Sequence, residues 1–198
     1  MGTALIAAGG WLALGNPGWP ASFATGPSRV VSTQVAPTEA PTRAETRSVA
    51  PLRLRFGSLG IDAAVVPIRA AGRVLTPPAD PSRLGWWRGG ARPGADSGTV
   101  LVTGHTVHDG DGALDDLDQA AVGDRVVVLG GGERVTYDVT RVLVLTKAQL
   151  ARRAASLFDV NGPHRLVLVT CESWDGAAYE GNVVVVAEPA TAPTLGTD

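Results

Sequence analysis

The chain has 198 residues, which fits one domain of about 100–150 residues together with segments outside it. Apolar residues make up 44% and charged residues 18%, a composition that favours a packed core and argues against wholesale disorder. The net charge of -2 with no basic block argues against nucleic-acid binding, and the single Cys excludes an intramolecular disulfide and a zinc site built from cysteines.

Residues 1–14 form an apolar segment, and no charged side chain occurs before Arg29. Fourteen residues are too few for a helix across a bilayer, which needs roughly 20. They are typical of the apolar region of a signal peptide or of the end of a membrane anchor. We therefore expect export or N-terminal anchoring at the membrane; the alternative is an apolar terminus with no such role.

Residues 15–51 are rich in Pro, Ala and Thr and show no periodic apolar face, which predicts a linker. Residues 52–190 carry the patterns of a folded domain, and 191–198 form a short tail. Short alternating or continuous apolar runs within the domain predict about eight strands, at 52–56, 61–66, 72–75, 99–104, 125–130, 134–145, 165–171 and 182–187.

Helix is scarce in the predicted domain. The Pro and Ser/Asp cluster that leads into Trp86 predicts a loop with one helical turn at 81–84, and residues 113–120 predict a brief helix. Residues 147–158 have a helical pattern, with Thr146 as the expected N-cap. Many short strands and little helix predict a small β-barrel or a β-sandwich.

Two residues with reactive side chains lie at predicted strand ends. His105 follows the strand TVLVTG, and Cys171 ends the strand RLVLVTC. A thiol beside an imidazole can transfer its proton and become a nucleophilic thiolate. Free Cys is more often a small buried hydrophobe. An unpaired Cys on an exported chain nevertheless favours a chemical role.

These motifs resemble those of the sortase family. TVLVTGH is similar to the strand that precedes the sortase His, and LVLVTC is similar to the TLxTC element, with Thr170 before Cys171. The segments RFGSLGIDAAVVPI, GWWRGGARPGADSG, ALDDLDQAAVGDRVVV and VTYDVTRVLVL also resemble sortase segments, so the likeness covers about 52–187. Within the family it is greatest to the actinobacterial class E or F enzymes.

The resemblance implies a closed eight-stranded β-barrel with one or two short helices, and an extracellular cysteine transpeptidase without metal or cofactor. Cys171 would attack an LPxTG-like sorting signal between Thr and Gly and form an acyl-thioester. His105 would protonate the leaving amine and deprotonate the incoming amine of a cell-wall peptide or pilin. Thr170 would contact the substrate. The expected partners are secreted proteins with the signal, at the outer face of the plasma membrane.

The family pattern also has an Arg on the strand after the Cys, and this sequence departs from it. Asn182 occupies the expected place, or Glu180 in an alternative register, and no Arg or Lys lies between Cys171 and Asp198. An amide can also donate to an oxyanion. A loop arginine is another replacement, with three candidates: Arg83, Arg88 and Arg92.

The missing Arg keeps a second function open, a catalytically weak or inactive barrel that binds sorting-signal peptides. A papain-like peptidase is disfavoured, because its Cys precedes its His and lies on a helix. Further residues have simpler interpretations: a solvated loop for His108, Asp109 and Asp111, a loop position for His164, and either a peptide groove or core packing for Trp86 and Trp87.

Overall fold

The computed structural model describes residues 47–71, 74–107, 110–174 and 179–191, with the backbone alone at 171–174 and 179–180. The predicted apolar segment 1–14, nearly all of the linker 15–51 and residues 192–198 of the tail lie outside these ranges. Within them, no helix is both long enough and apolar enough to cross a membrane.

Eight strands close into a barrel in the order β1-β2-β3-β4-β7-β8-β6-β5, as predicted. The β2–β3 and β4–β7 pairs are parallel, and the other pairs are antiparallel. The strands are β1 (Arg53–Phe56), β2 (Ile61–Ile68), β3 (Leu84–Trp87), β4 (Thr99–Thr103), β5 (Arg125–Gly130), β6 (Glu133–Thr146), β7 (Arg165–Trp174) and β8 (Tyr179–Pro189).

Helix α1 (Lys147–Leu157) begins where it was predicted to begin. The Thr146 hydroxyl accepts a hydrogen bond from the Gln149 N–H, and the Gln149 side chain accepts one from the Thr146 N–H, which forms a capping box. The predicted brief helix at 113–120 is reduced to a 3-10 turn at Leu117–Gln119, and a second such turn covers Gly57–Leu59.

Two strand predictions were wrong. Residues 84–87 form β3 rather than the end of a loop, because Leu84 and Trp86 face the core while β2 and β4 pair with the strand on either side. Near the predicted strand 72–75, the structure has only an isolated bridge between Ala71 and Val74; residues 72 and 73 lie outside the described ranges.

The end of β7 also differs from the prediction. Cys171 does not end the strand, because pairing with β8 continues to Trp174. The candidate nucleophile therefore lies within a strand that is hydrogen-bonded on its β8 side. This pairing holds the backbone of position 171 more firmly than a strand terminus would.

Alternation along the strands builds two clusters, one on each side of the sheet. The barrel interior is filled by residues from all eight strands, including Phe56, Val65, Trp86, Val102, Val128, Tyr137, Leu168 and Val185. The outer face of β4, β7, β8 and β6 packs with α1 through Leu101, Leu145, Leu157, Val167, Val169, Val184 and Val186. Both faces of β7 are thus buried, which explains its continuous apolar sequence.

Candidate active site

The parallel pairing of β4 with β7 brings the candidate catalytic positions together. The register joins Thr99 to Arg165 and Thr103 to Val169, a constant offset of 66 residues. The Gly104 N–H donates to the Val169 carbonyl at 3.3 Å, so the ladder continues past the end of β4. His105 and Cys171 lie two residues beyond the last pair of this ladder and are separated by the same 66 residues. Neighbouring strands lie about 4.8 Å apart, so the two backbones are adjacent.

Gly104 leaves room for buried side chains against the backbone just after β4. A Cβ added at Gly104 would lie 2.7 Å from Leu84 Cδ2 and 2.9 Å from Leu114 Cδ1. Both leucines are fully buried. The missing side chain therefore lets the interior cluster close over the backbone directly before His105.

The loop after His105 is braced by one carboxylate. Asp115 Oδ1 accepts a hydrogen bond from the Val107 N–H at 2.7 Å, and Oδ2 accepts one from the Gly112 N–H at 2.9 Å. The Leu114 N–H also donates to the His105 carbonyl at 3.1 Å. These bonds fold the loop back onto the backbone of His105.

Two threonine hydroxyls join the residues next to His105 and Cys171. Thr106 Oγ1 and Thr170 Oγ1 lie 2.8 Å apart, and Thr170 Oγ1 is 3.1 Å from the Gly104 carbonyl. Thr170 is 2% exposed, so its hydroxyl depends on these partners. This bond was not predicted, because only the parallel register brings residues 106 and 170 together.

Asn182 lies directly across from Cys171 in the antiparallel β7–β8 register. Its Nδ2 donates to the Thr170 carbonyl at 3.1 Å, so the amide is held against the backbone that precedes position 171. Asn182, the residue expected at the place of the family Arg, therefore pairs with the candidate nucleophile in the sheet. Glu180, the alternative, is two residues away from Asn182 along β8, where the register passes from the Glu172–Gly181 pair to the Trp174–Tyr179 pair.

The imidazole of His105 contacts a loop that the sequence did not connect with the site. His105 Nε2 lies 2.8 Å from the carbonyl oxygen of Pro78, which belongs to the connection between β2 and β3. A carbonyl only accepts, so Nε2 carries the hydrogen. No side-chain pattern could have indicated this partner, because it is a main-chain oxygen 27 residues away.

In the described part of the chain, no hydrogen bond or ion pair joins His105 or Asn182 to the loop arginines that were expected to replace the family Arg. Arg83 forms an ion pair with Asp80 at 3.2 Å. Arg88 lines an open cleft together with Arg69, Ala70, Trp87 and Gly89. Asn182, by contrast, pairs with position 171 in the β7–β8 register.

The two tryptophans separate into different environments. Trp86 is buried in the barrel interior and donates from Nε1 to the Ala91 carbonyl at 3.1 Å, in agreement with core packing. Trp87 is only partly buried, packs against the outer cluster and lines the open cleft. The groove interpretation therefore remains for Trp87 alone.

His164 is a loop residue, as predicted, but it belongs to a partly buried polar network. Its Nδ1 lies 3.1 Å from the Gly98 carbonyl, and its Nε2 lies 2.9 Å from the hydroxyl of Tyr137. Burial lowers the pKa of His164 and raises that of Tyr137. The network is at the start of β7, about 20 Å from Cys171 along the strand.

The loop that was expected to be solvated is described only in part. His108 and Asp109 lie outside the described residues, whereas Asp111 is exposed, in agreement with that expectation. Among the residues that are described, no group of three or more His, Cys, Asp or Glu side chains is arranged to hold a metal ion.

The fold defines a class: a closed mixed β-barrel in which Cys171 lies on β7 and His105 follows the end of β4, the parallel partner of β7. A family model, the sortase domain, matches residues 54–190. The chain therefore belongs to the sortase family, whose members are cysteine transpeptidases.

Solved structures agree with the fold. Sortase C-1 from Actinomyces oris is similar with a TM-score of 0.55 and 21% identity, over 71% of this chain and 73% of that one. A lid mutant of sortase A from Corynebacterium diphtheriae gives a TM-score of 0.55 and 20% identity, over 77% and 75% of the two chains. Among curated protein sequences, none matches the chain significantly.

Proposed function

We propose that the chain is a sortase that cleaves an LPxTG-like sorting signal between Thr and Gly and transfers the new carboxyl end to an amine. The observation that carries the proposal is the shared offset of 66 residues. It relates β4 to β7 throughout their pairing and also separates His105 from Cys171. Nucleophile and acid–base group must be within hydrogen-bond reach of each other, and this register favours that.

The proposed reaction has two halves. In the first, the Cys171 thiolate attacks the Thr carbonyl carbon, the C–N bond to Gly breaks, and the His105 imidazolium gives its proton to the leaving amine. In the second, the incoming amine attacks the thioester and gives a proton to His105, and the thiolate leaves. The covalent intermediate thus divides one difficult amide exchange into two easier steps.

Asn182 and Thr170 are proposed to support this chemistry from opposite sides of position 171. The Asn182 NH₂ group carries two hydrogens, and one is donated to the Thr170 carbonyl. Donation from the same group to the substrate oxyanion would replace part of the function of the family Arg. Thr170, through its bonds to Thr106 and Gly104, would hold the strand beneath the substrate.

The cellular setting is part of the same proposal. We propose that residues 1–14 direct export or anchor the chain, that 15–51 link it to the domain at 52–190, and that the domain acts at the outer face of the plasma membrane. The substrates would be secreted proteins with the signal, and the acceptor a cell-wall peptide or a pilin amine. Similarity to class E or F enzymes stays a prediction.

A specific observation keeps a second function in view. No Arg or Lys lies between Cys171 and Asp198, and the amide that replaces the Arg already donates to the Thr170 carbonyl. A barrel of this kind could bind the sorting signal while forming the thioester slowly or not at all. The two functions differ in one measurable product, the covalent adduct.

Intact-mass spectrometry tests the proposal directly. The full chain is incubated with LPxTG and LAxTG peptides, with Cys171→Ala as the control. We expect a mass increase equal to the peptide portion that ends in Thr, reversed by hydroxylamine and absent from the control. Since the chain has one Cys, a thioester can form at only one residue.

The other outcomes separate the alternatives. Peptide binding by the folded protein without an adduct would contradict catalysis and favour the binding function. If the folded protein neither binds these peptides nor forms an adduct with them, both proposed functions are contradicted.

A further inference from the structure

We infer that the main-chain carbonyl of Pro78 orients the His105 imidazole for proton transfer, so that Nε2 keeps its hydrogen and Nδ1 is the ring nitrogen that exchanges protons. The inference rests on the proposed function for its catalytic meaning. Its structural content, the protonated nitrogen of His105, stands on the observed contact alone.

The contact defines the tautomer. His105 Nε2 and the Pro78 oxygen are 2.8 Å apart, a normal hydrogen-bond distance. Because the carbonyl has no hydrogen to donate, the bond exists only when Nε2 is protonated. Neutral imidazole carries one hydrogen, so Nδ1 then has the lone pair that can accept a proton from a thiol or an amine.

Strand β3 packs against the ring of Pro78 and thereby limits the movement of its carbonyl group. A Cβ added at Gly85 would lie 3.0 Å from Pro78 Cδ and 2.6 Å from Ile68 Cδ1, so the bare glycine is what lets the loop pack on the strand. Gly85 pairs with Thr103, two residues before His105. The loop and the imidazole are therefore both positioned by the same pair of strands, β3 and β4.

The loop is also tied to the chain that follows His105. The Ala113 N–H donates to the Pro81 carbonyl at 2.8 Å, and the adjacent Leu114 N–H donates to the His105 carbonyl at 3.1 Å. Upstream, Leu75 packs against the outer cluster. Two consecutive prolines, Pro77 and Pro78, restrict the backbone in between.

A histidine that acts as a general acid and base exchanges protons through one ring nitrogen and needs a hydrogen-bond acceptor for the N–H of the other. This acceptor fixes the ring orientation and stabilises the imidazolium that forms when the first nitrogen takes a proton. Carboxylates commonly do this, and here the described contact is a neutral carbonyl. Pro78 is therefore a positioning residue, which acts through His105.

Nitrogen NMR of the full chain with ¹⁵N-labelled histidine tests the inference without turnover. At a pH where the imidazoles are neutral, we expect His105 as the Nε2–H tautomer. His164 should show the opposite Nδ1–H tautomer, because its Nδ1 faces the Gly98 carbonyl. His105→Gln and His164→Gln assign the signals. An Nδ1–H tautomer for His105, or an averaged mixture, would overturn the inference.

Two variants test whether the tautomer of His105 affects the rate of acylation. In Gly85→Ala the new Cβ would crowd both Ile68 and Pro78, so we expect the loop to shift, with a smaller Nε2–H population and slower acylation. Gly57→Ala is the matched control, because nothing lies within 4 Å of a Cβ there. Replacing Ala79 by lactic acid turns the Pro78 carbonyl into an ester carbonyl, a weaker acceptor, while keeping the side chain.

For the ester variant we expect acylation to slow by about threefold to tenfold, the effect of weakening one hydrogen bond. An unchanged rate and an unchanged tautomer in the ester variant would overturn the inference. Failure of the proposed function is distinguishable, since an Nε2–H tautomer for His105 in a chain that never forms an adduct would contradict only the catalytic proposal.

Discussion

At the scale of single residues, the proposed site has the Asn182 amide at the place where the family pattern has an Arg. Asn182 is shorter than Arg, and its Nδ2 is held by the Thr170 carbonyl. A side chain fixed in this way donates from a defined position, which is what stabilisation of a developing oxyanion requires. It lacks the permanent positive charge of Arg, so the same donor is weaker.

Asn182→Ala tests this role. If the amide donates to the oxyanion, we expect acylation of Cys171 by an LPxTG peptide to slow by about 10²-fold, the low end of the loss of one such donor. The rate of adduct formation, followed by intact mass, is the measurement. Asn161→Ala removes an amide in an exposed turn and should leave the rate unchanged. An Asn182→Ala chain that acylates at the wild-type rate would exclude the amide from the oxyanion site.

At the scale of elements, the proposed site lies where the pairing of the two parallel strands β4 and β7 ends. β7 continues to Trp174, whereas β4 ends at Thr103 and is followed by a braced loop. Position 171 is thus held by sheet pairing, and His105 is held by the loop and by Pro78. The Asp115 carboxylate is the central brace, because it accepts from two backbone N–H groups.

Asp115→Asn weakens that brace without changing its shape. An amide has one oxygen, so one of the two N–H groups at Val107 and Gly112 loses its acceptor. We expect unfolding free energy to fall by about 1–3 kcal/mol and acylation to slow as His105 loses its fixed position. Urea denaturation and the adduct assay measure the two effects.

The neighbouring Asp116→Asn is the matched control, because the described partner of the Asp116 carboxylate is the exposed Gln119 side chain. It should lower neither quantity by a comparable amount. Equal effects of the two substitutions would show that Asp115 is not a specific brace.

At the scale of the whole molecule, a polar network lies at the end of β7 opposite the proposed site. Tyr137 from β6, His164 before β7 and the Gly98 carbonyl before β4 are joined there by hydrogen bonds. Arg165 adds a bond from Nε to Thr99 Oγ1 at 3.1 Å. The network fixes the relative positions of β4 and β7, and hence the register on which the site depends.

His164 should make the fold less stable at mildly acidic pH. Burial lowers its folded-state pKa below the unfolded value of about 6.5, although Gly98, Ser97 and Asp96 oppose the shift. The unfolded chain therefore binds more protons below that pH, and stability falls as the pH decreases from about 6.5 towards the folded pKa. One proton limits this slope to about 1.4 kcal/mol per pH unit.

Urea denaturation between pH 5 and pH 8 measures this slope. His164→Gln should reduce it and also lower stability at pH 8, because the bonds to Tyr137 and Gly98 are changed. Tyr137→Phe keeps the partly buried imidazole of His164 and should retain the slope while losing the hydroxyl. An unchanged slope in His164→Gln would contradict the assignment.

Much of the fold was predictable because local pattern and tertiary environment agree. Strands such as β4 and β7 are buried on both faces, so their sequences are continuous runs of apolar residues. Thr146 caps α1 through residues three positions apart, which a local pattern can indicate. β3 was missed because four residues with a central Gly carry little signal, and its pairing with two distant strands decides its conformation.

The residue types of the site, its motifs and the absence of a basic side chain between Cys171 and Asp198 are all properties of the sequence. So is the separation of 66 residues, but that number has meaning only through the register of β4 with β7. Folding alone determines that Thr106 meets Thr170, that Asn182 holds the Thr170 carbonyl and that Pro78 faces His105. Two of these three partners are main-chain carbonyls, which every residue has, so only the tertiary structure selects among them.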